Sequence, residues 1–137
     1  MQFGNTLIIG DSYSTFKGYI PEGYAPYYTN EPGNTDVRRV EETWWHQLQA
    51  ETDCRILLNN SWSGSTICYT GYNDVDCSQS SSFIYRLNCL IEQDFFLENQ
   101  VDTILVFGGT NDFGHGDAPF GDFSDRTADT FCGAIHE

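Results

Sequence analysis

Thr6-Leu7-Ile8-Ile9-Gly10-Asp11-Ser12 passes from an apolar run into a polar turn. A short apolar, β-branched run reads as a buried strand, here closed at its C-terminal end by Gly10-Asp11-Ser12. In an α/β fold the C-terminal edge of the parallel strands is where ligands bind, so a serine there stands where a nucleophile is needed. Two further segments repeat the pattern. Asn59-Asn60-Ser61-Trp62-Ser63-Gly64-Ser65-Thr66 follows Ile56-Leu57-Leu58, and Gly108-Gly109-Thr110-Asn111-Asp112 follows Thr103-Ile104-Leu105-Val106-Phe107. Parallel strands over 6–9, 55–59 and 102–107 bring all three polar clusters to one edge.

Together the clusters supply a hydroxyl, a glycine N–H and a carboxamide. Cleavage of an ester by serine needs an attacking oxygen and donors aimed at the charge that develops on the carbonyl oxygen. Glycine lets a carbonyl approach its N–H closely, and asparagine is a donor whose protonation does not change with pH. Ser12, Gly64 and Asn111 fit these roles. Asp11 is read as fixing the turn around Ser12, and Asp112 as bracing the loop that carries Asn111.

These blocks resemble those of the SGNH hydrolases, also called GDSL esterases and lipases. Gly10-Asp11-Ser12 is similar to the nucleophile block, Gly64 to the oxyanion glycine, and Gly109-Thr110-Asn111-Asp112 to the Gly-x-Asn-Asp block. The resemblance runs from about Leu7 to Asp112. It implies a three-layer, doubly wound α/β fold with a parallel sheet of the SGNH or flavodoxin-like kind, truncated to three strands in the order 2-1-3. Residues 1–137 are then a single incomplete hydrolase domain, with Ser12 as nucleophile and the Ser12 and Gly64 N–H groups and Asn111 as oxyanion hole. The family's Asp-x-x-His block, which supplies the histidine and aspartate of the triad, has no counterpart before Glu137. The expectation is a fragment that is inactive or nearly so, with the 104–107 strand left unpaired on one side and the polypeptide prone to aggregate.

Composition narrows the choice. A chain of 137 residues suits one domain, and 15% aromatic with 19% charged residues reads as globular. A net charge of −14 argues against nucleic acid or an anionic membrane as partner and keeps the protein soluble. No stretch approaches a membrane span. The expected partner is a small-molecule or carbohydrate ester, with oligomeric state open. No basic, apolar leader precedes Leu7, which leaves the compartment cytoplasmic, or secreted if a leader has been removed. Cys54, Cys68, Cys77, Cys89 and Cys132 are an odd number without metal-ligand spacing, so neither a metal nor another cofactor is expected. Cys68 and Cys77 bracket a polar loop and can pair in an oxidising compartment, whereas Cys54 and Cys89 read as small core residues.

Pro21, Pro26, Pro32 and several glycines predict a long loop from Tyr13 to about Val40. Its tyrosines either wall a substrate site or seal the loop to the domain. Helices are predicted over 41–52, 83–98 and 125–135, the first two from apolar spacing, and a glycine-rich loop over 113–123.

A serine needs a base, and each histidine has a drawback. His46 lies on the 41–52 helix, remote from the strand ends. His136 is terminal and preceded at three residues by Gly133. His115 completes Asp112-Phe113-Gly114-His115, but Asp112 already belongs to the Asn-Asp block. The base is therefore expected outside the sequence. The competing reading is a non-catalytic carbohydrate-binding module on the same fold. A nucleotide-binding domain is weaker still, because neither Gly-x-Gly-x-x-Gly nor a phosphate loop occurs.

Overall fold

The computed structural model describes residues 2–33, 35–114 and 117–137. The chain divides into two compact units, Met1–Ser63 with Phe96–Phe107 and Gly64–Phe95 with Gly108–Glu137. No helix among the described residues is long and apolar enough to cross a membrane.

The first unit holds the sheet. Strands β1 (Asn5–Gly10), β2 (Arg55–Ser61) and β3 (Thr103–Phe107) are parallel, in the order β2–β1–β3. Central β1 has Leu7, Ile8 and Ile9 fully buried, as a strand covered on both faces requires. Ile8 and Leu105 are register partners, and both join a cluster with Phe16, Val40 and Trp45. Trp45 belongs to helix α1 (Trp44–Glu51), which Thr43 caps by accepting from the His46 N–H. The predicted 41–52 helix is thus split: Val40–Glu42 forms a 3₁₀ turn, and Thr43 restarts the chain as an α-helix.

β2 extends further than its apolar run. Its register to β1 jumps from Ile56 opposite Thr6 to Leu58 opposite Leu7, leaving Leu57 as a bulge. The shift sets Asn59, Asn60 and Ser61 opposite Ile8, Ile9 and Gly10, where all three are buried. After a 3₁₀ turn at Ser12–Ser14, no helix or strand forms before Val40 among the described residues, in agreement with the long loop. Its aromatics pack on one another and on the unit: Phe16 and Tyr19, Tyr19 and Trp45, Tyr24 and Trp62.

The second unit contains α2 (Phe83–Glu92), α4 (Thr110–Gly114) and α5 (Phe131–His136), with a 3₁₀ turn at Tyr72–Asp74. Ser82 caps α2 by accepting from the Tyr85 N–H. The predicted 83–98 helix breaks after Glu92, because Asp94 adopts φ 57°, a left-handed conformation that ends an α-helix; the short α3 (Phe95–Glu98) follows. The predicted 125–135 helix starts late, at Phe131, where Thr130 accepts from the Gly133 N–H. Residues 110–114 are helical, so only part of the predicted 113–123 loop is irregular.

All five cysteines are free thiols, Cys68 and Cys77 included. Cys54 is buried and its thiol faces Thr6 Oγ1 at 3.4 Å, whereas Cys89 is only half-buried.

Candidate active site

In the first unit the end of β1 is shaped by close packing. A Cβ on Gly10 would stand 2.6 Å from the Ser14 side chain and 2.7 Å from Ser61 Oγ, so only glycine fits before the turn. Asp11, fully buried, accepts from the Tyr13 N–H at 3.2 Å, and Ser12 begins the 3₁₀ turn. The Ser12 carbonyl accepts from the N–H and the Oγ1 of Thr15, at 3.1 and 2.8 Å. Beneath the turn, Asn59 Nδ2 donates to the Ser14 carbonyl at 2.8 Å, Ser61 Oγ donates to Asn59 Oδ1, and Trp44 Nε1 donates to Ser14 Oγ. Ser12 is half-buried and its backbone is fixed from both sides. Tyr13, Tyr28, Trp44 and Phe107 line a cleft of about 420 Å³ in this unit. Burial, with Tyr27, Tyr13 and Asp11 nearby, raises the Tyr28 pKa above the usual phenol value.

The second unit holds Gly64 and Asn111 close together. Asn111 is 6% exposed, and its Nδ2 donates to the Ser65 carbonyl at 2.8 Å, tying it to the residue after Gly64. The Tyr72 hydroxyl donates to Asn111 Oδ1. A carbonyl can only accept, so the Ser65 contact settles which end of the carboxamide is nitrogen. Gly64 has φ +81°, a conformation that disfavours any side chain, and a Cβ there would lie 3.8 Å from Tyr72 Cε2.

Asp112 ties the segment that carries Asn111 to the one that follows Gly64. Its carboxylate accepts from the Ile67 N–H at 3.0 Å and the Cys68 N–H at 3.1 Å, on the strip that follows Gly64. Burial pushes the Cys68 thiol up to about 12, with the Asp112 charge acting in the same direction. Arg86, only 1% exposed, donates from Nε to the Ser81 carbonyl at 2.9 Å and from Nη2 to Ser65 Oγ at 3.0 Å. Its guanidinium also lies 4.8 Å from the centre of the Phe83 ring.

Of the histidines, His46 sits on α1 with its ring beside Trp45, and His136 ends α5 with Nε2 3.1 Å from the Phe123 carbonyl. His115 lies outside the described residues.

Sequence reasoning singled out Ser12, Gly64 and Asn111 but missed the residues that hold them. Arg86 had a signal, because Phe83, Arg86 and Leu90 share helical spacing and so set a charge on a buried stripe. Tyr72 had none, lying in a polar turn outside every block.

The GDSL-like lipase/acylhydrolase family model matches residues 5–133, and the chain belongs to that family. A crystal structure from Bacteroides ovatus described as a GDSL-like lipase is 40% identical, with a TM-score of 0.82 over 99% of this chain. A second, from Bacteroides uniformis and described in the same way, is 39% identical, with a TM-score of 0.81 over 97% of this chain. The chain spans 64% and 62% of the lengths of these two structures. No curated protein gives a significant match.

Proposed function

We infer that the chain carries the nucleophile and the oxyanion-binding groups of a serine ester hydrolase. Ser12 Oγ attacks an ester carbonyl, and the Ser12 and Gly64 N–H groups with Asn111 Nδ2 hold the oxyanion. The observation that carries this reading is the Asn111 carboxamide. Ser65 takes one of its two Nδ2 protons, which leaves the other for a ligand beside the left-handed Gly64. Family membership supports the same chemistry.

The substrate we favour is an acyl or acetyl ester on a carbohydrate, because flat sugar faces stack on rings such as those of Tyr13 and Trp44 in the first unit's cleft. Trp62 serves less well, since Tyr24 packs on it at 4.4 Å between ring centres. The base for Ser12 is assigned to an Asp-x-x-His segment outside residues 1–137, so these residues alone are inactive or nearly so.

The test is hydrolysis of p-nitrophenyl acetate and of an acetylated xylo-oligosaccharide by the product of the whole reading frame that encodes this chain. Turnover is expected there, lost on the order of 10⁴-fold in Ser12→Ala and equally weak in residues 1–137 alone. Turnover that survives Ser12→Ala sinks the reading. Sugar binding without hydrolysis returns the protein to the class of binding modules.

A further inference from the structure

We propose that Tyr72 is a positioning residue of the oxyanion site, acting through Asn111; the role rests on the hydrolase reading above. Three contacts place it. The hydroxyl donates to Asn111 Oδ1, the ring edge lies 3.8 Å from where a Cβ on Gly64 would stand, and the residue opens a 3₁₀ turn whose next N–H, that of Asn73, is held by Asp117 Oδ2 at 2.9 Å. A single side chain therefore bonds one donor residue of the oxyanion hole and packs beside a second.

Its work follows from the chemistry of a carboxamide. A free Asn side chain rotates about its last bond and presents either a donor or an acceptor to the site, and an acceptor facing an oxyanion repels it. Ser65 at Nδ2 and Tyr72 at Oδ1 pin opposite ends, so the second Nδ2 proton keeps a fixed direction. Donation to Oδ1 also draws electron density from the amide nitrogen, which makes that proton a stronger donor. Such donors are effective because they are aligned before charge develops.

The variants are Tyr72→Phe, Asn111→Ala and the double variant, assayed as whole-reading-frame products on p-nitrophenyl acetate. Asn111→Ala is expected to lower kcat about 10²–10³-fold, as loss of an oxyanion donor does, and Tyr72→Phe about tenfold with KM little changed. The distinguishing result is the double variant, expected to equal Asn111→Ala alone, since Tyr72 has nothing left to position. In ¹⁵N-labelled protein, Tyr72→Phe should move the Asn111 side-chain amide resonances while distant amides stay in place, which also shows that the variant folds. Wild-type kcat in Tyr72→Phe, additive losses in the double variant, or an unmoved Asn111 amide each overturn the role of Tyr72 while leaving the hydrolase reading intact. Wild-type turnover in both Ser12→Ala and Asn111→Ala overturns the hydrolase reading and this role with it.

Discussion

Both carboxylate oxygens of Asp112 lie 3.0 Å from the backbone nitrogen of Ile67. Asp112 follows Asn111 directly, and Ile67 lies three residues after Gly64, so this contact sets the segments carrying the two proposed oxyanion residues against each other within their unit. Hydrogen bonds to a buried carboxylate contribute about 1.5–3 kcal/mol, more than neutral ones. Asp112→Asn keeps the shape, weakens the acceptor and adds an NH₂ beside the Ile67 and Cys68 N–H donors. It is expected to destabilise the protein by about 2–3 kcal/mol in urea melts; a midpoint within error of the wild type would show that the contact contributes little.

Gly10 tests the packing around Ser12 in the first unit. A methyl there meets Ser14 and Ser61 at 2.6–2.7 Å, and both belong to the network under the Ser12 turn. Gly10→Ala is expected to cost about 1–3 kcal/mol, the usual range for overpacking, and to lower turnover by displacing Ser12. A variant as stable and active as the wild type would mean that the turn yields without loss.

Much of the fold was legible because it rests on patterns that the backbone imposes. The apolar runs at 6–9 and 103–107 and the polar residues that close them gave the strands, their direction and the residues at their ends. The helix limits were less legible. The left-handed Asp94 and the Thr130 cap are local backbone choices that apolar spacing does not encode. The burial of Asn59, Asn60 and Ser61 was hidden because it depends on a bulge at Leu57 that shifts the register of the strand. In the candidate site, residue type and position at a strand end singled out Ser12, Gly64 and Asn111. Tyr72, which bonds Asn111, and Arg86, which bonds Ser65 beside Gly64, come from other segments and are joined to these only by tertiary contacts.

Among the described residues β3 pairs with β1 along one side only, and Ile104, Val106 and Phe107 are exposed on it. An open strand edge with apolar side chains is a template for pairing with another chain. Residues 1–137 in isolation are therefore expected to self-associate as concentration rises, and Val106→Lys to suppress this without lowering the melting temperature. Light scattering checks both, and a monodisperse wild type at high concentration would overturn the expectation.

Cys68 gives the protein a sensitivity to alkali. Its folded pKa of about 12 stands above the ordinary thiol value of 9.0, chiefly because the thiol is buried. The folded state holds this proton more tightly than the unfolded chain, so the contribution is fully present below 9.0 and is lost as pH climbs toward about 12. Tyr28 and Tyr69, also raised by burial, add a similar decline at the alkaline end. The Cys68 part is isolated by comparing the wild type with Cys68→Ala in urea at about pH 8 and about pH 10.5. Wild-type stability is expected to fall more steeply between the two, while iodoacetamide modifies Cys68 slowly in the folded protein because little thiolate is present. Equal slopes in the two proteins, or rapid labelling of Cys68 before unfolding, would show that the thiol ionises freely in the native state.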